Sequence, residues 1–313
     1  MPKFRLFLTA LLFVGLTKLS FAAEPTPFEF LRYVSDARAA ALAGCYVSMP
    51  EDPDAIFFNP AAVSTVDDKN FSTTFLKHTL DINSGAVTYV RPLEEGTVAG
   101  FAGYTNYGSF QGADEFGNLR PEFGANDIAL GGTYSNILDT NLYYGVSLKF
   151  IFVNIEDAST SALAVDAGII YLIPDKRTNI GVSVLNAGTQ LTKIAGENES
   201  LPLDIRAGIN HRLRGLPLLV NFTFHHLGDS DGGFFRRFEQ FALAGELYFG
   251  EALRVRLGYD NQVRRMTAPG EEKGLSGISA GAGLNFEDFI IDYGFARYGS
   301  AVNLHRFSLG LNL

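Results

Sequence analysis

From about residue 71 to the C-terminus, apolar residues recur at every second position, the period of a strand whose two faces meet different surroundings. Between Leu142 and Phe152 one face carries Leu142, Tyr144, Val146, Leu148, Phe150 and Phe152. The other carries Tyr143, Gly145, Ser147, Lys149 and Ile151. The pattern returns after Leu163, with Leu163, Val165, Ala167 and Ile169 opposed to Ala164, Asp166 and Gly168. A charge turned toward hydrocarbon at mid-depth costs about 2–4 kcal/mol, so on a sheet with one face in lipid Lys149 and Asp166 must point inward.

Such runs predict strands near 71–78, 84–92, 96–106, 126–136, 141–154, 160–172, 178–185, 202–213, 216–226, 238–249, 252–261, 275–285, 287–297 and 303–313. That is about 14, an even number, with lengths near the roughly 9–11 residues that a tilted strand needs to cross a bilayer. The connections sort by parity. Links after strands 2, 4, 6, 8, 10 and 12 are short, as at Leu93-Glu94-Glu95, Arg214-Gly215 and the Glu287 region, whereas 107–125, 186–201, 227–239 and 261–274 are long. A soluble sandwich has no reason to sort its loops this way. The expected fold is all-β, an antiparallel transmembrane barrel over 71–313 with both ends and the short turns on the periplasmic side. Trp is absent, so an aromatic girdle must come from residues such as Tyr143, Tyr144, Tyr248, Tyr259, Phe289 and Tyr293.

Ahead of the strands, Lys3 and Arg5 precede an apolar run from Leu6 to Leu16 and the small residues near Ala22 and Ala23, the pattern of a signal peptide over 1–22. The run is too short to span a membrane as a helix, and no later stretch is longer. Without Lys3, Arg5 and Lys18, 22 basic residues stand against 34 acidic ones, a balance of −12 that makes nucleic acid an improbable partner. Cys45 is the sole cysteine, so no disulfide framework exists within the chain, and it reads as a buried small hydrophobe. Residues 23–70 do not alternate; 35–44 reads as a short helix capped by Ser35 or Asp36 and ended by Gly44. A lumen this wide cannot be filled by wall side chains alone, so the segment reads as a plug.

The residues carry little catalytic or metal chemistry, and no cofactor motif is read. His225 and His226, adjacent on an expected strand, would point to opposite faces and could not share a metal. Ser308 and His305 face opposite sides for the same reason, and Gly277-Ile278-Ser279-Ala280-Gly281 has the wrong offset for a nucleophile elbow. The run from Gly228 to Gly233 reads either as a Ca²⁺ loop or as a solvated one. Arg236, Arg237, Arg264 and Arg265 suit the phosphates of surface lipopolysaccharide, or salt bridges with Glu239, Glu271 or Glu272. Phe110, Phe116 and Phe123 in the long 107–125 loop are the favoured partner-docking anchors, with packing across the barrel mouth as the alternative.

Several segments together resemble a known group. Ala37 to Gly44 followed by F-F-N-P-A-A at 57–62, G-V-S-V-L-N-A-G at 181–188, V-R-L-G-Y at 255–259 and H-R-F-S-L-G-L at 305–311 are similar to the PorV/PorQ family, relatives of FadL-type barrels. The stretches 104–118, 163–168, 186–191 and 259–265 resemble its PorQ branch, a component of the type IX secretion system. The likeness runs from about Phe30 to the end, and Asn59, Pro60 and Ala61 form its plug motif. It implies a 14-stranded, non-enzymatic outer-membrane scaffold that tethers PorZ, PorU and PorV at the cell surface beside lipopolysaccharide. The alternative is a FadL-like transporter of hydrophobic molecules, which needs an apolar pocket around the N-terminal segment and an inward-kinked strand. Gly100, Gly131, Gly132 and Gly181 permit such a kink.

Overall fold

Every strand pairs antiparallel with its sequence neighbours, and the first pairs with the last, so the sheet closes without a free edge. The computed structural model describes residues 26–313 apart from 79–81, 115, 176, 195, 230–233, 267–273 and 300–301. The strands are β1 Asn70–Lys77, β2 Asn83–Leu93, β3 Gly96–Ala113, β4 Leu119–Asp139, β5 Leu142–Ile155, β6 Ala158–Leu172 and β7 Thr178–Thr192. They continue as β8 Asp204–Arg212, β9 Leu218–Phe224, β10 Phe241–Phe249, β11 Leu253–Asp260, β12 Ile278–Asn285, β13 Phe289–Tyr298 and β14 Val302–Asn312. Closure follows from the medium: an unpaired backbone group in hydrocarbon costs several kcal/mol, and a ring of strands leaves none.

The period-two pattern sets the two faces. Leu148, Phe150, Leu163, Val165, Leu257 and Phe307 point outward and are exposed, a band of apolar side chains suited to lipid. Lys149 and Asp166 point inward, where Lys149 Nζ lies 2.8 Å from Asp166 Oδ1. Tyr248, expected in the girdle, faces the lumen instead, with the Arg212 and Arg254 guanidiniums over its ring.

Six short links join strands at one end, from Glu94-Glu95 to the turn before Phe289. Long links 193–203, 225–240 and 261–277 lie at the other, while Glu156-Asp157 makes a tight turn there between two lengthened strands. The expected loop 107–125 is a correction. β3 and β4 run on beyond the rim as a hairpin, with register shifts at Asn106/Ser109 and Gln111/Ala113. Glycines and polar residues interrupt the alternation there, but cross-strand pairs such as the stacked Phe110 and Phe123 rings, 5.5 Å apart, keep the ribbon together.

The described N-terminal part fills the lumen. At the long-loop end, Thr26 Oγ1 donates to the Ser200 carbonyl at 2.8 Å, and Arg32 pairs with Asp229 at 2.6 Å. The chain then descends through α1, Ala37–Ala41, and two 3-10 turns, Pro53–Phe57 and Pro60–Thr65, and leaves into β1 at the short-turn end. Asp36 caps α1 by accepting from Ala39 N at 2.6 Å, and Gly44, with φ +75, donates back to the Ala39 carbonyl to end it. Around Leu42, Cys45, Tyr46 and Phe58 the segment builds an apolar core shared with Leu219, Ala242 and Ala244 of the wall. A second core joins Ile56, Val63 and Val66 to Val90, Ala99 and Phe101.

Candidate functional site

The plug sits on glycines. Inward positions of the wall at Gly145, Gly168, Gly181, Gly281 and Gly294 face plug atoms, the side-chain amide of Asn59 at Gly168 and backbone or Cβ atoms at the others, so closely that a Cβ on any of them would overlap Pro60, Asn59, Val47, Ala41 or Ala37 respectively. Gly145 pairs with Gly168, and Gly281 with Gly294, so the seats form across neighbouring strands. Gly181, read from sequence as a kink-permitting residue, is one of these seats. Gly131 instead leaves room for the Phe101 ring.

Asn59, Pro60 and Ala61 occupy the deepest part of this contact. The Asn59 side chain accepts from Ala61 N at 3.0 Å and donates to the carbonyls of Val47 at 2.8 Å and Ile169 at 2.9 Å. One amide therefore caps the second 3-10 turn, braces the plug and ties it to β6. An aspartate there would lose both donors.

Charges lock the opposite side. Arg38 reaches Glu246 with two bonds of 3.0 and 2.7 Å and Asp52 with one of 2.7 Å. Glu246 also accepts from Arg256 at 2.7 Å, and Arg256 continues to Asp292. This buried chain links the plug to β10, β11 and β13. Arg38 and Arg256 fall in segments that carry the family resemblance, but nothing in the sequence marked Glu246 or Asp292 as their partners.

On the long-loop side of the plug a small internal cavity of about 80 Å³ remains, open in part to solvent. Apolar groups from Phe30, Leu31, Phe57, Phe58, Phe101 and Leu185 line it, together with polar groups of Lys149, Asp166 and Asn186 and of Arg32, Ser84 and Arg206. Next to Asn186 the wall is irregular. The pairing of β6 with β7 shifts between Val165 and Ala167, and Asn186 takes φ +60 and turns inward. Lys149 donates to Asn186 Oδ1, and Asn186 Nδ2 donates to the Pro202 carbonyl at 3.2 Å. Above Leu185, β7 has no pairing with β8, and a recess of about 600 Å³, open to solvent, lies between Ala187–Gln190 and 198–203. Asn186 borders both spaces.

The residues expected to dock partners are spread over the long-loop end. Phe116 is 82% exposed at the hairpin tip, above the Phe110–Phe123 stack. Arg236 and Arg237 lie in a 3-10 turn, Phe234–Glu239, and Arg264 and Arg265 in α2, Asn261–Met266. Arg265 pairs with Glu239 and Arg264 donates to the Gly274 carbonyl at 3.1 Å; Glu271 and Glu272 lie outside the described residues. Of the expected Ca²⁺ loop, Asp229 is bonded to Arg32, and 230–233 lie outside the described residues. His305 is exposed on the outer face and bonded to Tyr293 at 2.8 Å, whereas Ser308 is buried against the plug.

No family model matches this sequence, and no curated protein does. Solved structures do. A monoaromatic hydrocarbon channel, CymD, superposes with a TM-score of 0.59 at 12% identity, covering 90% of this chain and 98% of that one. The P. putida toluene transporter TodX gives 0.59 at 12% identity over 90% and 99%, and a Pseudomonas aeruginosa FadL homologue 0.51 at 12% over 92% and 98%. What these chains share is the fold. This protein is thus a FadL-like barrel in architecture, and its chemistry rests on its own residues.

Proposed function

We propose that this chain is a non-enzymatic outer-membrane channel for small hydrophobic molecules. The observation that carries the reading is the half-apolar cavity held between the N-terminal strip, the plug and the wall, beside an inward bulge on β7. At about 80 Å³ it is smaller than the roughly 300–1,000 Å³ of ligand pockets, the size of a constriction on a path rather than of a full binding chamber. The described neighbours of similar fold are channels and a transporter for aromatic hydrocarbons, which supports the same direction. Protein taken from native membranes in mild detergent should carry a bound hydrophobe, and Ala129→Phe, which fills the cavity, should lose it. Empty protein, together with equal uptake of hydrophobic compounds by cells with and without the gene, would sink the proposal.

A second reading keeps the type IX secretion scaffold implied by the resemblance. The β3–β4 hairpin favours it, because it projects beyond the rim with Phe116 and Leu119 82% and 75% exposed. In this reading the hairpin docks PorZ-, PorU- or PorV-type proteins, Arg236 and Arg237 meet lipopolysaccharide phosphates, and the leader is removed after Ala22 or Ala23. Co-purification of such partners, lost in Phe116→Asp, would move the assignment there.

A further inference from the structure

At the long-loop rim a vestibule is lined by Arg32, Tyr33, Asp260, Gln262 and two histidines. β9 ends at Phe224, so His225 and His226 leave the strand before alternation can separate them. His226 takes φ +52, which swings its ring to the side of His225. The rings lie 4.7 Å apart, and both Nδ1 atoms face each other at 3.3 Å. Gln262 Oε1 stands 2.8 Å from His226 Nδ1. The Nε2 atoms point away, that of His225 to Asp260 Oδ2 at 3.6 Å and that of His226 to Asp204 Oδ2 at 3.5 Å. The opposed-faces expectation therefore fails here, for a local backbone reason.

We infer that the paired Nδ1 atoms of His225 and His226 form a two-imidazole chelate for a divalent transition-metal cation. Two nitrogens held at about 2.05 Å by one tetrahedral cation lie about 3.3 Å apart, which is the separation found. The rest of the arrangement agrees. With the metal on both Nδ1 atoms, each ring keeps its proton on Nε2, turned to a carboxylate, the outer-shell support that metal-bound histidines use. Without a metal, and with the Gln262 oxygen where it lies, a neutral His226 sets a lone pair against an oxygen in either tautomer.

Among the described residues no three His, Cys, Asp or Glu side chains converge on one point. The centre is consequently completed by the Gln262 amide oxygen and by vestibule water. Imidazole nitrogen with one neutral oxygen selects Zn²⁺, Cu²⁺ or Ni²⁺ over Mg²⁺. Bound there, the cation would fasten the link after β9 to α2 in the link after β11.

Titration calorimetry on tag-free protein in detergent tests this, with ZnCl₂ and MgCl₂ as probes. One Zn²⁺ per chain should bind and raise the thermal midpoint, while Mg²⁺ does neither. H225Q/H226Q should lose both effects, and H78Q/H305Q should keep them. Asp260→Asn retains the acceptor that caps α2 but not the charge facing His225, and should weaken Zn²⁺ binding roughly 10-fold to 100-fold. Heat-modifiable migration on gels identifies the folded variants. If H225Q/H226Q does not fold, Gln262→Leu takes its place and should also bind more weakly. Zn²⁺ binding that is absent in the wild type, or unchanged in these variants, overturns the chelate.

Discussion

Gly145 on the wall lies against the carbonyl of Pro60 in the plug so closely that any side chain there would overlap it. The plug and the barrel are therefore one packed body at this level. Gly145→Val forces the plug off its seat, and overpacking of this kind costs about 1–3 kcal/mol. The variant should still give a heat-modifiable barrel, with a lowered urea midpoint and a raised ion conductance in planar bilayers. Unchanged conductance would mean that the plug is seated elsewhere.

Asn59→Ala removes the cap of Pro60–Thr65, leaves the carbonyl of Val47 unpaired and takes from that of Ile169 its bond to the plug. Loss of a cap costs about 1 kcal/mol, and a buried unpaired carbonyl about 1–3 kcal/mol. The expected loss is about 2–4 kcal/mol in equilibrium unfolding. Asn59→Asp, which keeps the cap and loses the donors, should be no better.

Glu246 stands between Arg38 and Arg256 with its side chain fully buried. Glu246→Gln leaves two guanidiniums short of countercharge, and breaking a buried pair from one side costs about 3–5 kcal/mol. A double-mutant cycle with Arg38→Met should return most of that loss as coupling. Additive single effects would show that the network is not a unit.

Burial pushes the Asp36 carboxyl in the plug up to about 7, with Asp52 and Asp292 adding to the rise. The folded state thus holds a proton that the unfolded chain releases near its ordinary value, 3.8. The resulting stabilisation is full below about pH 4 and fades as pH climbs toward 7. Unfolding midpoints measured from pH 4 to 8 should fall across this window in the wild type. In Asp36→Asn, which keeps the acceptor for Ala39 N, the slope should flatten.

Much of the wall was legible in sequence because one rule governs it: lipid on one side and lumen on the other fixes the period, and Lys149 with Asp166 had only one place to go. The helix at Ala37–Ala41 was legible from its cap. The glycine seats were not, since Gly181 gives no sign along the chain that Val47 lies opposite it. His225 and His226 were misread because alternation was carried two residues past the end of β9, into a turn with positive φ. The β3–β4 hairpin was missed where glycines broke the pattern that defined the other strands. Asn186 was read as the start of the long link 186–201, because a polar residue in the left-handed region interrupts the alternation although β7 continues past it to Thr192.

The Ser308 hydroxyl meets three parts of the chain at once: it accepts from Ala37 N at 2.9 Å, donates to Asp36 at 3.0 Å, and lies 2.6 Å from the Thr74 hydroxyl on β1. This is the junction where β1 meets β14, the one ladder joining the two ends of the sheet. The contents of the ring thus share hydrogen bonds with its seam, so seating the plug and closing the barrel stabilise one another through a single serine.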